Sequence, residues 1–125
     1  MIYDYSVCGE YADVVHALAL VESNENASVS GDNGQAWGPL QMHPAAFLEY
    51  YGWAAFALDD TWIIAQLKAC AAFMAHYGSY PLDMRIQAWN RGPTAVFKNG
   101  VRAPDYLQRF DAALNHVRGE HGRQH

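Results

Sequence analysis

The sequence predicts a mainly α or α+β fold of five or six helices, with one small β element. Three observations predict it. Apolar residues recur at helical spacing in several segments. Proline or a capping residue precedes most of these segments, and glycine closes them. One stretch alone, Asn24 to Gly38, is rich in Asn, Ser and Gly and lacks helical period.

The elements follow in order. From about Tyr11 to Ser23, residues Tyr11, Val14, Val15, Leu18 and Val21 make a helical stripe. Glu22 lies four residues after Leu18, on or beside that stripe, at the helix end. The polar stretch that follows reads as turns, with a short hairpin at SVSGDNGQ. Pro44 suits a first helical position, and PAAFLEYYG reads as a helix ended by Gly52. Asp59 or Asp60 is expected to cap TWIIAQLKACAAFMAHYG, a helix apolar on most sides and so central. Pro81 starts PLDMRIQAWNRG, Pro93 opens a brief turn through TAVFKNG, and Pro104 starts an amphipathic helix to about Arg118.

Bulk properties bound the function. The 125 residues read as one domain, 1–125, with 51% hydrophobic residues to fill a core. The net charge of −5 and the lack of a basic run argue against nucleic acid or an anionic membrane surface as partner. No apolar run approaches the roughly 20 residues that span a bilayer, so no membrane insertion is expected. MIYDYSVCGEYADVV has no Lys or Arg before its first apolar segment and does not resemble a secretory signal. Cys8 and Cys70 match no zinc or redox spacing. Two buried free thiols are expected, with a disulfide as the alternative. The six histidines (His16, His43, His76, His116, His121 and His125) show no metal-ligand spacing, so neither metal nor organic cofactor is expected.

Glu22 is the candidate with chemistry. A charge at a helix C-terminus is disfavoured by the macrodipole, and apolar neighbours desolvate it, so its pKa should rise. A carboxyl protonated near neutral pH can act as general acid. Glycoside cleavage usually adds a second carboxylate. Asp32, in the Gly31 to Gly34 turn, is the candidate, although such an aspartate ordinarily bonds its own turn. Glu25 is nearer in sequence but is expected to face solvent. Trp37, Trp53, Trp62 and Trp89 offer faces for sugar stacking, with core packing the ordinary alternative.

ALALVESNENASVSGDNGQAWGPLQM resembles the catalytic signature of the lysozyme-like superfamily, in particular lytic transglycosylases and goose-type lysozymes. The matching features are Glu22-Ser23, the small-residue loop, and Gly38-Pro39-Leu40-Gln41. IQAWNRGPTAV resembles the family's Ala-Tyr-Asn-x-Gly-Pro block, and PDYLQRF its Tyr-containing final helix. The three motifs occur in family order over roughly Val14 to Leu114. The resemblance implies a lysozyme-like fold and cleavage of the β-1,4 bond between N-acetylmuramic acid and N-acetylglucosamine in peptidoglycan. Glu22 would be the general acid. Ser23 and Gln41 would shape the site, Asn90 would bind sugar near the scissile bond, and Tyr106 would hydrogen-bond the acid. Trp37 and Trp89, inside the motifs, would be the sugar-contacting tryptophans. Asp32 stands where the goose-type loop has a water-positioning aspartate, which favours hydrolysis over internal attack. Trp89 replaces the family's usual Tyr, Arg91 a small residue and Pro39 a flexible apolar one; these bear on subsites rather than on the acid. His43 is expected at the surface, as a helix cap or a minor substrate contact.

The expected partner is thus peptidoglycan glycan, met at the bacterial cell wall or periplasm by a monomer. A phage lysin, a virion-associated enzyme and a secretion-delivered domain all fit. A lytic transglycosylase, a chitin-directed relative, and a silent wall-binding or structural module on the same fold are the alternatives.

Overall fold

A computed structural model describes residues 3–123, with side chains through residue 120. The mainly α expectation holds, with five α-helices and a two-stranded antiparallel sheet among the described residues. The helices are α1 (Ala12–Ser23), α2 (Pro44–Gly52), α3 (Trp62–His76), α4 (Leu82–Arg91) and α5 (Pro104–Arg123). The strands are β1 (Ser30–Gly31) and β2 (Ala36–Trp37), in the expected hairpin. None of these helices is long and apolar enough to cross a membrane.

Four details differ from expectation. A 3-10 segment, Tyr5–Tyr11, precedes α1 and is kinked at Gly9. It has no hydrophobic period to betray it, yet Tyr5 and Cys8 are buried. The cap of α3 is Thr61, whose hydroxyl accepts from the Ile64 amide at 3.3 Å. Asp60 instead accepts from the Ala57 amide, the Tyr51 hydroxyl and Lys68, which closes the loop before the helix. The presumed turn after Pro93 is a π-helical segment, Thr94–Lys98. Helix α5 continues past Arg118 to Arg123. The tail histidine His125 lies outside the described residues.

The core forms where α1, α3 and α5 meet. Val15, Leu18 and Ala19 of α1 pack with Leu67, Cys70 and Phe73 of α3 and with Phe110 and Leu114 of α5. As its all-round apolar sequence predicts, α3 is central, touching α1, α2, α4 and the N-terminal 3-10 segment. Both cysteines are buried and unpaired; the Cys8 thiol donates to the Leu67 carbonyl at 3.4 Å. Packing α1 against α5 brings the C-terminal end of α1 beside the first turn of α5, and the site is built there.

Candidate functional site

Helix α1 ends by reversing sharply. Asn24 and Glu25 both adopt the left-handed conformation, with φ of 53° and 61°. Their amides bond the carbonyls of Leu20 and Ala19, satisfying groups that a helix end leaves open. Glu22 therefore sits in the last turn before the reversal, on the wall of a cleft of about 520 Å³.

The cleft is assembled from four segments. Glu22 comes from α1, and Gly31 and Asp32 from the hairpin. Gln41, Met42 and His43 come from the segment leading into α2, which adds Ala46 and Tyr50. Trp89, Asn90, Arg91 and Gly92 come from the end of α4. Two of the three motifs thus line one cavity, and the third, on α5, reaches it only through the contact of Tyr106 with Glu22.

Burial raises the Glu22 pKa above its ordinary value. The Tyr106 hydrogen bond and the Arg109 charge oppose this rise, and the Asp32 charge adds to it. The Tyr106 hydroxyl donates to Glu22 Oε2 at 2.6 Å, the contact expected of it. Burial and the facing Glu22 carboxyl push the phenol's own pKa well up, so it remains a donor. One turn on, the Arg109 guanidinium lies over the Tyr106 ring at 5.4 Å. Arg109 escapes motif reading; its signal is the i, i+3 spacing from Tyr106.

Asp32 lies in the hairpin turn, also on the cleft wall, and is 70% exposed. It holds a left-handed φ of 50°, followed by Asn33 at 57°, an uncommon conformation for side chains with a Cβ. Asp32 Oδ2 is 2.9 Å from His43 Nε2. His43 is exposed, as expected, and stands at the N-cap of α2 without a side-chain cap bond; it also pairs with Asp32 on the cleft wall. Its only signal in the sequence was adjacency to Gln41.

The remaining candidates divide. Gln41 lines the cleft, and its Nε2 donates to the Val29 and Gly38 carbonyls at 2.9 Å each, binding the hairpin to the next segment. A Cβ at Gly31 would come 2.7 Å from Gln41 Oε1, so a larger residue there would displace the Gln41 amide. Trp89 and Asn90 line the cleft, and Trp89 packs edge-on against Phe73 at 5.1 Å.

Ser23 and Trp37 do not reach the cleft. Ser23 is buried, and its hydroxyl faces the carbonyls of Pro39 at 2.7 Å and Ala19 at 3.2 Å. It fastens the helix end to the Gly38–Gln41 segment and shapes the site only from behind. Trp37 turns to the other side of its short strand, against Phe47 and Trp62. Glu25 does not face solvent. The left-handed turn swings it back to accept from the Tyr5 hydroxyl at 2.9 Å and to meet His16 Nε2 at 3.3 Å. Of the four tryptophans, only Trp89 lines this cleft.

No protein-family model, curated protein or solved structure matches the chain. Among the described residues, no group of three or more His, Cys, Asp or Glu could hold a metal ion. The chemistry available at the cleft is therefore that of a shielded carboxyl, an exposed carboxylate–imidazole pair, a cationic Arg91 and an aromatic wall.

Proposed function

We propose that this chain is a peptidoglycan-degrading glycosidase on a lysozyme-like fold, cleaving the β-1,4 bond between N-acetylmuramic acid and N-acetylglucosamine. The observation that carries the reading is Glu22. It is a desolvated carboxyl at the end of an apolar helix, clamped by Tyr106, in a cleft that also holds Asp32. Tyr106 engages Oε2, which leaves Oε1 to carry the acidic proton. A protonated carboxyl can give its proton to the glycosidic oxygen as the bond breaks, while charge develops at the anomeric carbon. A second carboxylate on the same cleft suits a hydrolase that directs water. Asn90 offers hydrogen bonds to the sugar, and Trp89 an aromatic face. The likeness of the Glu22-Ser23, Gly38–Gln41, Ala88–Pro93 and Tyr106 segments to lytic transglycosylases and goose-type lysozymes points the same way.

Clearing of purified cell walls by the wild type and by Glu22→Gln tests the reading. The wild type is expected to clear turbidity and the variant to lose roughly 10²–10⁴-fold in rate, the range for a general acid. Equal clearing by both would remove Glu22 from the mechanism. Mass spectrometry of the fragments assigns the products. Reducing ends report hydrolysis, 1,6-anhydro ends report transglycosylase chemistry, and products from chitin alone would overturn the peptidoglycan assignment.

A further inference from the structure

We propose that His43 is the base that deprotonates the attacking water, and that Asp32 is the positioning residue that holds its ring. This assignment rests on the glycosidase reading above and moves Asp32 from positioning water to positioning His43.

The argument begins with the 2.9 Å contact between Asp32 Oδ2 and His43 Nε2. A carboxylate can only accept, so the proton between them belongs to Nε2. The neutral ring then keeps its lone pair on Nδ1, the atom that can take a proton from water. Both residues line the cleft that Glu22 lines. A carboxylate that orients an imidazole, which in turn activates a nucleophile, is a general catalytic arrangement.

The backbone holds the pair in place. His43 follows Met42, whose amide and carbonyl exchange hydrogen bonds with Trp37 at 3.0 and 3.3 Å. It precedes Pro44, whose ring fixes its own φ, and the His43 carbonyl accepts the Phe47 amide in the first turn of α2. Asp32 is presented by two successive left-handed residues, a costly conformation of the kind that concentrates at functional sites. The Gln41 side chain ties the two segments together through Val29 and Gly38. An unconstrained surface pair would need none of this.

The step balances without a further reactant. The water oxygen bonds to the anomeric carbon as the bond to the leaving oxygen breaks. That oxygen takes the Glu22 proton, and the water proton passes to His43 Nδ1. The imidazolium then returns its proton to solvent, and Glu22 regains one, completing a net hydrolysis with inversion.

The test uses His43→Ala and His43→Gln, with thermal unfolding to verify the fold. The expected result is a roughly 10²–10³-fold fall in reducing-end fragments for both variants. Sodium azide, a nucleophile that needs no deprotonation, should restore cleavage and yield an inverted glycosyl azide. Wild-type amounts of reducing ends from folded variants would overturn the proposal, as would loss of activity that azide does not rescue. So would a wild type that forms only anhydro ends, although Glu22 would keep its role. Failure of the glycosidase reading is separately visible, as unchanged clearing by Glu22→Gln in the same assay.

Discussion

Two side chains from opposite ends of the chain, Glu22 and Tyr106, share one 2.6 Å hydrogen bond. A donor to a carboxyl favours its charged form and lowers its pKa. Tyr106→Phe should therefore raise the Glu22 pKa further. The alkaline limb of a pH–rate profile, where the acid form is lost, should move to higher pH. The maximal rate should fall about tenfold, the equivalent of ~1.4 kcal/mol of positioning. Stability gives a second readout. The folded-state pKa of Glu22 lies above its unfolded value. Its contribution is thus fully present below the unfolded pKa and is lost as pH rises through the folded one. Glu22→Gln, which keeps an acceptor for Tyr106, should have a higher Tm than wild type at about pH 8. Differential scanning calorimetry should show that advantage vanishing near about pH 3, where both forms are uncharged.

At the scale of elements, the short hairpin has too few backbone bonds to stand alone. Gln66, fully buried on α3, holds it: Nε2 donates to the Trp37 carbonyl at 3.0 Å, and Oε1 accepts the Leu40 amide at 3.2 Å. Gly38 passes directly over this amide with φ 85°; a Cβ there would lie 2.5 Å from Gln66 Nε2. Gln66→Leu would strand the buried Leu40 amide and leave the Trp37 carbonyl with the Met42 amide alone, so urea unfolding should show a loss of about 1–3 kcal/mol. Activity should fall as well, because Gln41 and His43 follow the same segment. The hairpin and the helices were legible in the sequence, since Gly-rich turns and 3.6-residue periodicity are local signals. The Thr61 cap and the 3-10 segment were not. A cap depends on which of three adjacent polar residues faces the amides, and the 3-10 segment is shaped by the core it covers.

The whole molecule is organised by α1 against α5, with α3 behind them. Phe110, 1% exposed, lies one turn beyond Tyr106 and faces the same way. Phe110→Ala should cost about 3–5 kcal/mol through the cavity it leaves. Fluorescence and circular dichroism should still report one coincident transition. The thiols probe the same core. Burial pushes the Cys8 pKa up to about 12 and the Cys70 pKa well above its ordinary value. A thiol reagent should leave both unmodified in the native protein and modify both in denaturant. Rapid native labelling would show that the N-terminal segment does not cover α3 as described.

The sequence by itself determined the helical class, the hairpin, the central place of α3, and Glu22 as the carboxyl to follow. Each is written in spacing, punctuation or a charge set beside an apolar stripe. Tertiary structure decided which residues share the cleft. It turned Ser23 and Trp37 away, folded Glu25 back onto Tyr5 and His16, and set His43 against Asp32. The physical reason is that left-handed turns at Asn24–Glu25 and Asp32–Asn33 redirect the chain within one or two residues. Side chains beyond such a turn no longer follow the period that precedes it. Their neighbours are chosen by packing across the fold, which no local pattern records.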